Sequence, residues 1–299
     1  PTIQGRSRYT GGTRPYRALV STDMSDPLAL FPLAIAAGGG QLGPFAAAQL
    51  AAAGLTLLQR SAPLVRTLAG KRAAILLPSG PAYLVALTAS DGRGALLLNH
   101  QASAESIAWQ LADADVGAVF TEQALVPLLP AGFPVVLLDD APRLARVLVP
   151  GRHMDVDLGT HHGLALEGDT AAEGRDEECI VGYEPSGRRT TRTHRDMIAA
   201  GRAAVAECLL TPVDHVLSLL PCHDPDALAV CIAAPLMAGA RVSFLSPARV
   251  ADVVSRIAQH DVSMLAGRWQ TVSGIRVTAY RAERGVQQLR DGHLISEAG

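Results

Sequence analysis

The chain has 299 residues, of which 48% are hydrophobic and 18% are charged, so the sequence predicts a folded protein with a large core. The formal net charge of −2 gives no electrostatic basis for binding nucleic acid or an anionic membrane surface. Lys71 is the only lysine, and the other 25 of the 26 basic residues are arginines. Because arginine does not replace lysine as a nucleophile or Schiff-base former, such chemistry is confined to position 71.

The N-terminal quarter of the sequence raises the question of a membrane segment. Residues 1–26 are largely polar and show no periodicity, so we expect a flexible arm there. No residue from Pro27 to Gln59 is charged, and a stretch of this length could span a bilayer. Glycines at 38–40 and the pair Gly43-Pro44 interrupt it, however, and alanine dominates it. We therefore predict a turn at 38–44, a buried helix from 45 to about 68, and neither a membrane span nor a signal peptide.

Short apolar runs alternate with helical patterns between residues 73 and 138. Periodicity predicts strands at 73–77, 95–98, 116–120 and 134–138, and helices at 81–90, 103–114 and 122–129. Ser103 is the expected cap of the second of these helices. Apolar strands that alternate with helices indicate a parallel sheet covered on both faces, so we predict an α/β fold with residues 27–150 as its first subdomain.

The alternation stops after residue 138. We interpret 139–177 as a long surface connection, with an acidic connecting loop at 151–177. Its histidines and aspartates have the residue types of a metal site: His153, Asp155, Asp157, His161 and His162. Acidic, glycine-containing connections are more often solvated loops, so we expect no metal here.

A second alternating region follows at 178–266, which we predict to be a second α/β subdomain. Strands are expected at 179–183, 216–220, 242–245 and 262–265, with helices at 194–209, 226–238 and 248–259. From residue 267 onward the pattern changes, and 272–279 and 286–295 predict a β-hairpin-like tail with turns at 283–285 and 291–292. The four cysteines show no CxxC spacing, which favours reduced thiols in a cytoplasmic protein.

Residues 71–98 contain a strand that ends in Leu-Pro-Ser-Gly, an Ala-rich helix, and a strand that leads into Asn99. The second half contains Thr-His-Arg-Asp, a long helix, a Thr-Pro-Val-Asp turn, and a strand that ends in Leu-Pro with a nearby histidine. In order and spacing, residues 45 to 266 resemble the N-terminal part of adenylate-forming enzymes: acyl-CoA synthetases, luciferases and peptide-synthetase adenylation domains. The resemblance implies two doubly wound, mostly parallel sheets.

In the resembled family, a loop of Tyr-Thr-Ser-Gly-Thr-Thr-Gly-x-Pro-Lys-Gly wraps the ATP phosphates through backbone N–H groups and a lysine. The matching segment here is shorter, has one glycine and no lysine, and places Glu184 and Pro185 in the loop. Either Arg188, Arg189 and Arg192 replace the lysine as phosphate ligands, or they form a solvated surface, which we expect. The residues of this degenerate phosphate loop are Tyr183, Ser186, Gly187, Arg188, Arg189, Thr190 and Thr191.

Two further positions are candidates for the wall of an acyl pocket. Cys222 and His223 follow the strand at 216–220, where the family often has a histidine or aromatic residue. Cys222 is also a weak candidate nucleophile, since nothing in the sequence supplies a base or a lowered pKa. The family's adenine-stacking, ribose-binding and catalytic-lysine motifs do not occur between residue 266 and the last residue given.

Three functions remain open at this level. The first, which the loop and the single lysine favour, is a catalytically inactive relative that acts as a binding or scaffolding partner, as a homo-oligomer or beside a pathway enzyme. The second is an AMP-forming ligase completed by another chain, and only this one requires ATP and magnesium. The third is a binder of a small acyl ligand. We expect no catalytic residue and no cofactor under the first.

Overall fold

The computed structural model describes residues 31–65, 72–90, 94–159, 177–184, 186–245, 249–271 and 273–294. The predicted flexible arm at 1–26, Lys71 and much of the predicted connecting loop lie outside these ranges. The described part of the chain forms two β-sheets with helices packed against them. No helix in these ranges is long and apolar enough to cross a membrane.

The strands and helices are introduced here in chain order. The strands are β1 Gln41–Leu42, β2 Phe45–Ala46, β3 Arg72–Leu76, β4 Ala95–Leu97, β5 Val116–Thr121, β6 Val135–Leu138, β7 Leu144–Val149, β8 Arg152–Asp157, β9 Glu178–Tyr183, β10 Arg189–Thr193, β11 His215–Ser218, β12 Arg241–Phe244, β13 Met264–Thr271 and β14 Gly274–Arg281. The α-helices are α1 Phe31–Ala37, α2 Ala47–Val65, α3 Pro81–Ala89, α4 Ala104–Asp113, α5 His194–Cys208, α6 Pro225–Ala227, α7 Ala234–Met237, α8 Val250–His260 and α9 Ala282–Arg290.

The first sheet has eight strands in the order β10-β9-β4-β3-β5-β6-β7-β8. Its central strands, from β9 to β6, run parallel, and antiparallel strands flank them on both sides. Alternate residues of β3 point to opposite faces: Ile75 joins the cluster beneath α2 and α3, whereas Ala74 and Leu76 join the cluster beneath α4. Helices therefore cover both faces, which confirms the predicted α/β fold of doubly wound, mostly parallel sheets.

The second sheet has six strands in the order β14-β13-β11-β12-β1-β2. Strands β1, β12, β11 and β13 are parallel, while β2 and β14 pair antiparallel at the two edges. On one face α5 and a π-helical segment pack against the sheet. The π-helical segment, Leu228–Ala233, connects α6 to α7. On the other face α8 and α9 pack around Trp269, a fully buried side chain.

The two sheets exchange strands, which the predicted division of the chain did not anticipate. The hairpin β1-β2 comes from the predicted first subdomain but extends the second sheet beside β12. Conversely, β9 and β10 come from the predicted second subdomain but pair onto β4 of the first sheet. Sequence ranges 27–150 and 178–266 therefore do not coincide with the two sheets, because pairing partners far apart in the chain leave no local pattern.

Two other predictions are wrong. Residues 144–157 form the antiparallel pair β7-β8 on the edge of the first sheet rather than part of a surface loop. The strand expected at 272–279 is present as β14, which pairs with β13, but the strand expected at 286–295 is replaced up to Arg290 by α9. The turn expected at 283–285 lies inside α9, whose Gly285 lets the helix approach Leu265 closely: an added Cβ would lie 2.7 Å from its Cδ1.

Candidate functional site

The segment that resembles a phosphate loop folds as a tight β-hairpin. Strands β9 and β10 pair antiparallel up to Tyr183 and Arg189, and the turn between them closes through two backbone hydrogen bonds. The Glu184 N–H donates to the Arg188 carbonyl oxygen at 2.9 Å, and the Gly187 N–H donates to the Glu184 carbonyl oxygen at 2.8 Å. Gly187 has a φ of +80°, which favours glycine. These two N–H groups therefore bond within the turn rather than pointing at a ligand.

The arginines of this hairpin are each paired with a carboxylate. Arg188 Nε donates to Glu184 Oε2 at 3.0 Å, across the turn itself. Arg189 lies 3.6 Å from the Glu178 carboxylate, and Arg192 lies 3.3 Å from the Asp226 carboxylate. The hydrogen bond from Arg188 lowers the pKa of Glu184, so this carboxylate stays ionised at neutral pH. Each of these arginines thus has a carboxylate nearby, although Arg189 shares Glu178 with Arg72.

The base of the hairpin is fixed against α4. Tyr183 donates a hydrogen bond to Asp113 and packs edge-on against Trp109, with ring centroids 5.1 Å apart. Burial, together with the Asp113 carboxylate, raises the pKa of Tyr183 to about 12, so its hydroxyl remains a donor. Thr190 Oγ1 lies 3.4 Å from the Gly182 carbonyl oxygen, and Thr191 pairs with Val181 across the strands.

The other predicted site residues lie where a loop from the second sheet meets the first. Cys222 follows β11, is buried, and donates its backbone N–H to Ser79 Oγ at 2.9 Å. Burial raises the pKa of its thiol to about 12. A neutral thiol is a poor nucleophile, so the geometry gives no support to a catalytic role for Cys222. The phosphate-loop residues and the pair Cys222-His223 occupy separate loops, after β9 and after β11.

Two residues that sequence reasoning missed line this junction. Of the buried side-chain polar atoms in the described ranges, two lack a hydrogen-bond partner: the Tyr83 hydroxyl and Nδ1 of His100. Tyr83 lies beside Cys222, which contributes to the raised pKa of its hydroxyl after the larger effect of burial. His100 packs edge-on against His223, with centroids 6.5 Å apart, and burial followed by His223 lowers its pKa. The signal available in the sequence was their position after parallel strands β3 and β4.

Three of the residues considered as metal ligands lie on β8, the last strand of the first sheet. His153, Asp155 and Asp157 lie on this edge strand rather than in a loop, and Asp155 accepts a hydrogen bond from Arg146 at 2.9 Å. Within the ranges that the structure describes, no cluster of three histidine, cysteine or carboxylate side chains could hold a metal ion. His161 and His162 lie outside those ranges.

This chain is similar to known proteins in its fold and not in its sequence. No protein-family model and no curated protein matches the sequence. A fatty acyl CoA synthetase from Mycobacterium tuberculosis matches with a TM-score of 0.57 and 16% identity, over 78% of this chain and 48% of that one. A benzoate CoA ligase from Burkholderia xenovorans matches with a TM-score of 0.56 and 16% identity, over 75% and 45%. An O-succinylbenzoate Coenzyme A synthetase from Bacillus subtilis matches with a TM-score of 0.52 and 20% identity, over 74% and 45%.

The chain has the fold of the adenylate-forming enzymes. It spans less than half the length of these solved relatives. At 16–20% identity the likeness establishes the arrangement of strands and helices and leaves the chemistry to be argued from the site. The predicted resemblance is therefore confirmed as a resemblance of fold.

Proposed function

We propose that this acyl-CoA synthetase-like chain does not itself adenylate carboxylic acids and acts instead as a binding or scaffolding partner. One observation carries the proposal: the segment in the position of the phosphate loop is a closed hairpin whose arginines are all paired with carboxylates. Adenylation needs positive charge and open N–H groups at the transferring phosphate, because charge builds there in the transition state.

The hairpin would have to be dismantled before it could hold a triphosphate. An ATP phosphate would compete with Glu184 for Arg188, and the ionised Glu184 would repel it at close range. The two N–H groups at the turn would also have to leave their carbonyl partners. Each of these changes costs free energy, and a loop with free N–H groups and a lysine would bind phosphate without that cost.

The proposal is tested by pyrophosphate exchange with MgATP across fatty, aryl and amino acids, and by calorimetry with ATP. We expect exchange no faster than without protein, and no affinity in the micromolar range. Glu184→Ala frees Arg188 and is the matched variant, in which binding should stay undetectable because the N–H groups remain occupied. Exchange with any acid, or micromolar ATP binding that is lost on reversing the charge of Arg188, Arg189 and Arg192, would overturn the proposal.

Exposed apolar side chains in and beside the second sheet support the scaffolding part of the proposal. Strand β14 forms the outer edge of that sheet, and Ile275 on it is 61% exposed. Leu209 and Val213, in the connection from α5 to β11, are also exposed. Exposed apolar side chains and a strand at the edge of a sheet, as β14 is among the described strands, favour association with another chain. Light scattering at micromolar concentration should show a dimer or larger species that Ile275→Arg dissociates, and a monomeric wild type would exclude self-association.

A second candidate function is the binding of a small acyl ligand at the junction beside Cys222 and His223. It is favoured by the unpartnered Tyr83 hydroxyl and His100 Nδ1, since buried polar atoms without a partner are rare in native proteins. Calorimetry with short acids, amides and thioesters should then show binding that Tyr83→Phe weakens. Equal binding by both proteins would argue against this site.

A further inference from the structure

His215 at the start of β11 holds a serine of the neighbouring strand in a defined hydrogen bond. Its ring Nδ1 lies 2.7 Å from the carbonyl oxygen of His260, at the end of α8. Its Nε2 lies 2.9 Å from Oγ of Ser243 on β12. The ring is buried, with 7% of the residue exposed, whereas Ser243 is half-buried.

These two contacts fix the proton positions. A carbonyl oxygen can only accept, so Nδ1 carries the ring proton and donates it to His260. Nε2 of the neutral ring then has a free lone pair, and the Ser243 hydroxyl donates to it. Burial, as the largest effect, lowers the pKa of His215, and Arg241 and His260 add to this while the His260 carbonyl and Asp261 oppose it. The imidazole is thus neutral near pH 7.

Other buried or half-buried serines of the second sheet are bonded differently. Ser218 Oγ donates to the Leu220 carbonyl oxygen at 3.1 Å, and Ser263 Oγ donates to Asp214 at 2.8 Å. Neither acceptor can take up a proton as readily as a neutral imidazole. Ser243 therefore has what a serine nucleophile requires: a base within hydrogen-bond reach, itself oriented by a third group.

We propose that Ser243 is a nucleophile that accepts short acyl groups from activated esters, with His215 as its base and the His260 carbonyl as the orienting group. The proposal is independent of the phosphate hairpin, because His215 and Ser243 lie on β11 and β12 of the second sheet and the hairpin belongs to the first. Because Ser243 is only half-buried, we limit the proposal to short acyl groups, and no cofactor is required.

The proposed step balances with water as the second reactant. Ser243 Oγ bonds to the ester carbonyl carbon while its proton passes to His215 Nε2. The ester C–O bond breaks, and the alcohol or phenol leaves with that proton. Water then attacks the acyl-serine and gives a proton to Nε2, which returns it to Ser243 as the carboxylic acid departs.

The experiment uses the full chain and p-nitrophenyl acetate, with acetylated peptides located by mass spectrometry. We expect acetylation at Ser243, its loss in Ser243→Ala, and a rate at least about 100-fold lower in His215→Gln, the usual contribution of a general base. Ser255→Ala is the matched control, because Ser255 is exposed on α8 and its hydroxyl accepts from Gln259 rather than facing an imidazole. This variant should react like wild type.

The wild-type rate should also rise with pH through a single ionisation and then level off, as His215 loses its proton. If circular dichroism shows that His215→Gln does not fold, the pH profile of the wild-type protein tests the role of His215 as a base instead. No acetyl group on Ser243 in the native protein, equal labelling of the urea-denatured chain, or a rate independent of pH through the imidazole range would each overturn the proposal.

Discussion

The hairpin between β9 and β10 and the junction of Cys222 with Ser79 both follow the ends of parallel strands, yet opposite interactions hold them. The hairpin is exposed, and its turn is closed by backbone hydrogen bonds and carboxylate–arginine pairs. At the junction Cys222 and Tyr83 are buried, burial keeps the Cys222 thiol neutral by raising its pKa, and two polar atoms have no partner. Substitutions in the hairpin should therefore have little effect on folding, whereas substitutions at the junction should change stability first.

The largest expected effect is on the free energy of unfolding, and it comes from substituting Tyr83 at the junction. Tyr83→Ala removes a fully buried ring and should cost about 3–5 kcal/mol of unfolding free energy. Tyr83→Phe keeps the ring and removes a hydroxyl that has no partner, so stability should stay equal or rise by about 1 kcal/mol. Urea unfolding measures both. A clear loss of stability in Tyr83→Phe would show that the hydroxyl is hydrogen-bonded after all.

The alternation of strands and helices could be predicted from the sequence because each apolar run is local. Every residue of β5 and β6 is buried, as expected for the apolar strands predicted at 116–120 and 134–138. The exchange of β1-β2 and β9-β10 between sheets could not be predicted, since pairing over more than 80 residues depends on the assembled core. The same holds for His100, which meets His223 only in the folded chain. The pairing of Arg192 with Asp226 was likewise not predicted, because the two residues lie 34 positions apart in the chain.

Two glycine-to-alanine substitutions, at Gly54 and Gly187, separate the cost of close packing from the cost of backbone strain. In α2, a Cβ on Gly54 would lie 2.5 Å from the Thr88 Cβ and 2.6 Å from the Val85 carbonyl oxygen, so Gly54→Ala should cost about 1–3 kcal/mol. In the hairpin, a Cβ on Gly187 meets Trp109 at 3.9 Å, and only its φ of +80° opposes the change, at about 1 kcal/mol. Thermal unfolding of the two variants measures the difference. A smaller loss for Gly54→Ala would mean that α2 and α3 can separate without cost.

The smallest effects should appear in the dependence of stability on pH, where the two regions act in different ranges. Burial, followed by His223, lowers the pKa of His100 below 6.5, so its contribution to stability is complete above that value and is lost as pH falls through the folded pKa. Buried His215 acts in the same direction and range. Arg188 lowers the pKa of Glu184 below 4.5, so the hairpin loses its contribution only at lower pH.

Urea midpoints measured from pH 8 to pH 3 separate these contributions. His100→Gln should flatten the decline that begins below pH 6.5, because glutamine takes up no proton, while Glu184→Gln should leave that part of the curve unchanged. Glu122 acts oppositely to Glu184, since burial raises its pKa and its contribution grows as pH falls, so Glu122→Gln is the control for the acid range. If Glu184→Gln altered stability above pH 6, the hairpin would be coupled to the core, and the division between the two regions would fail.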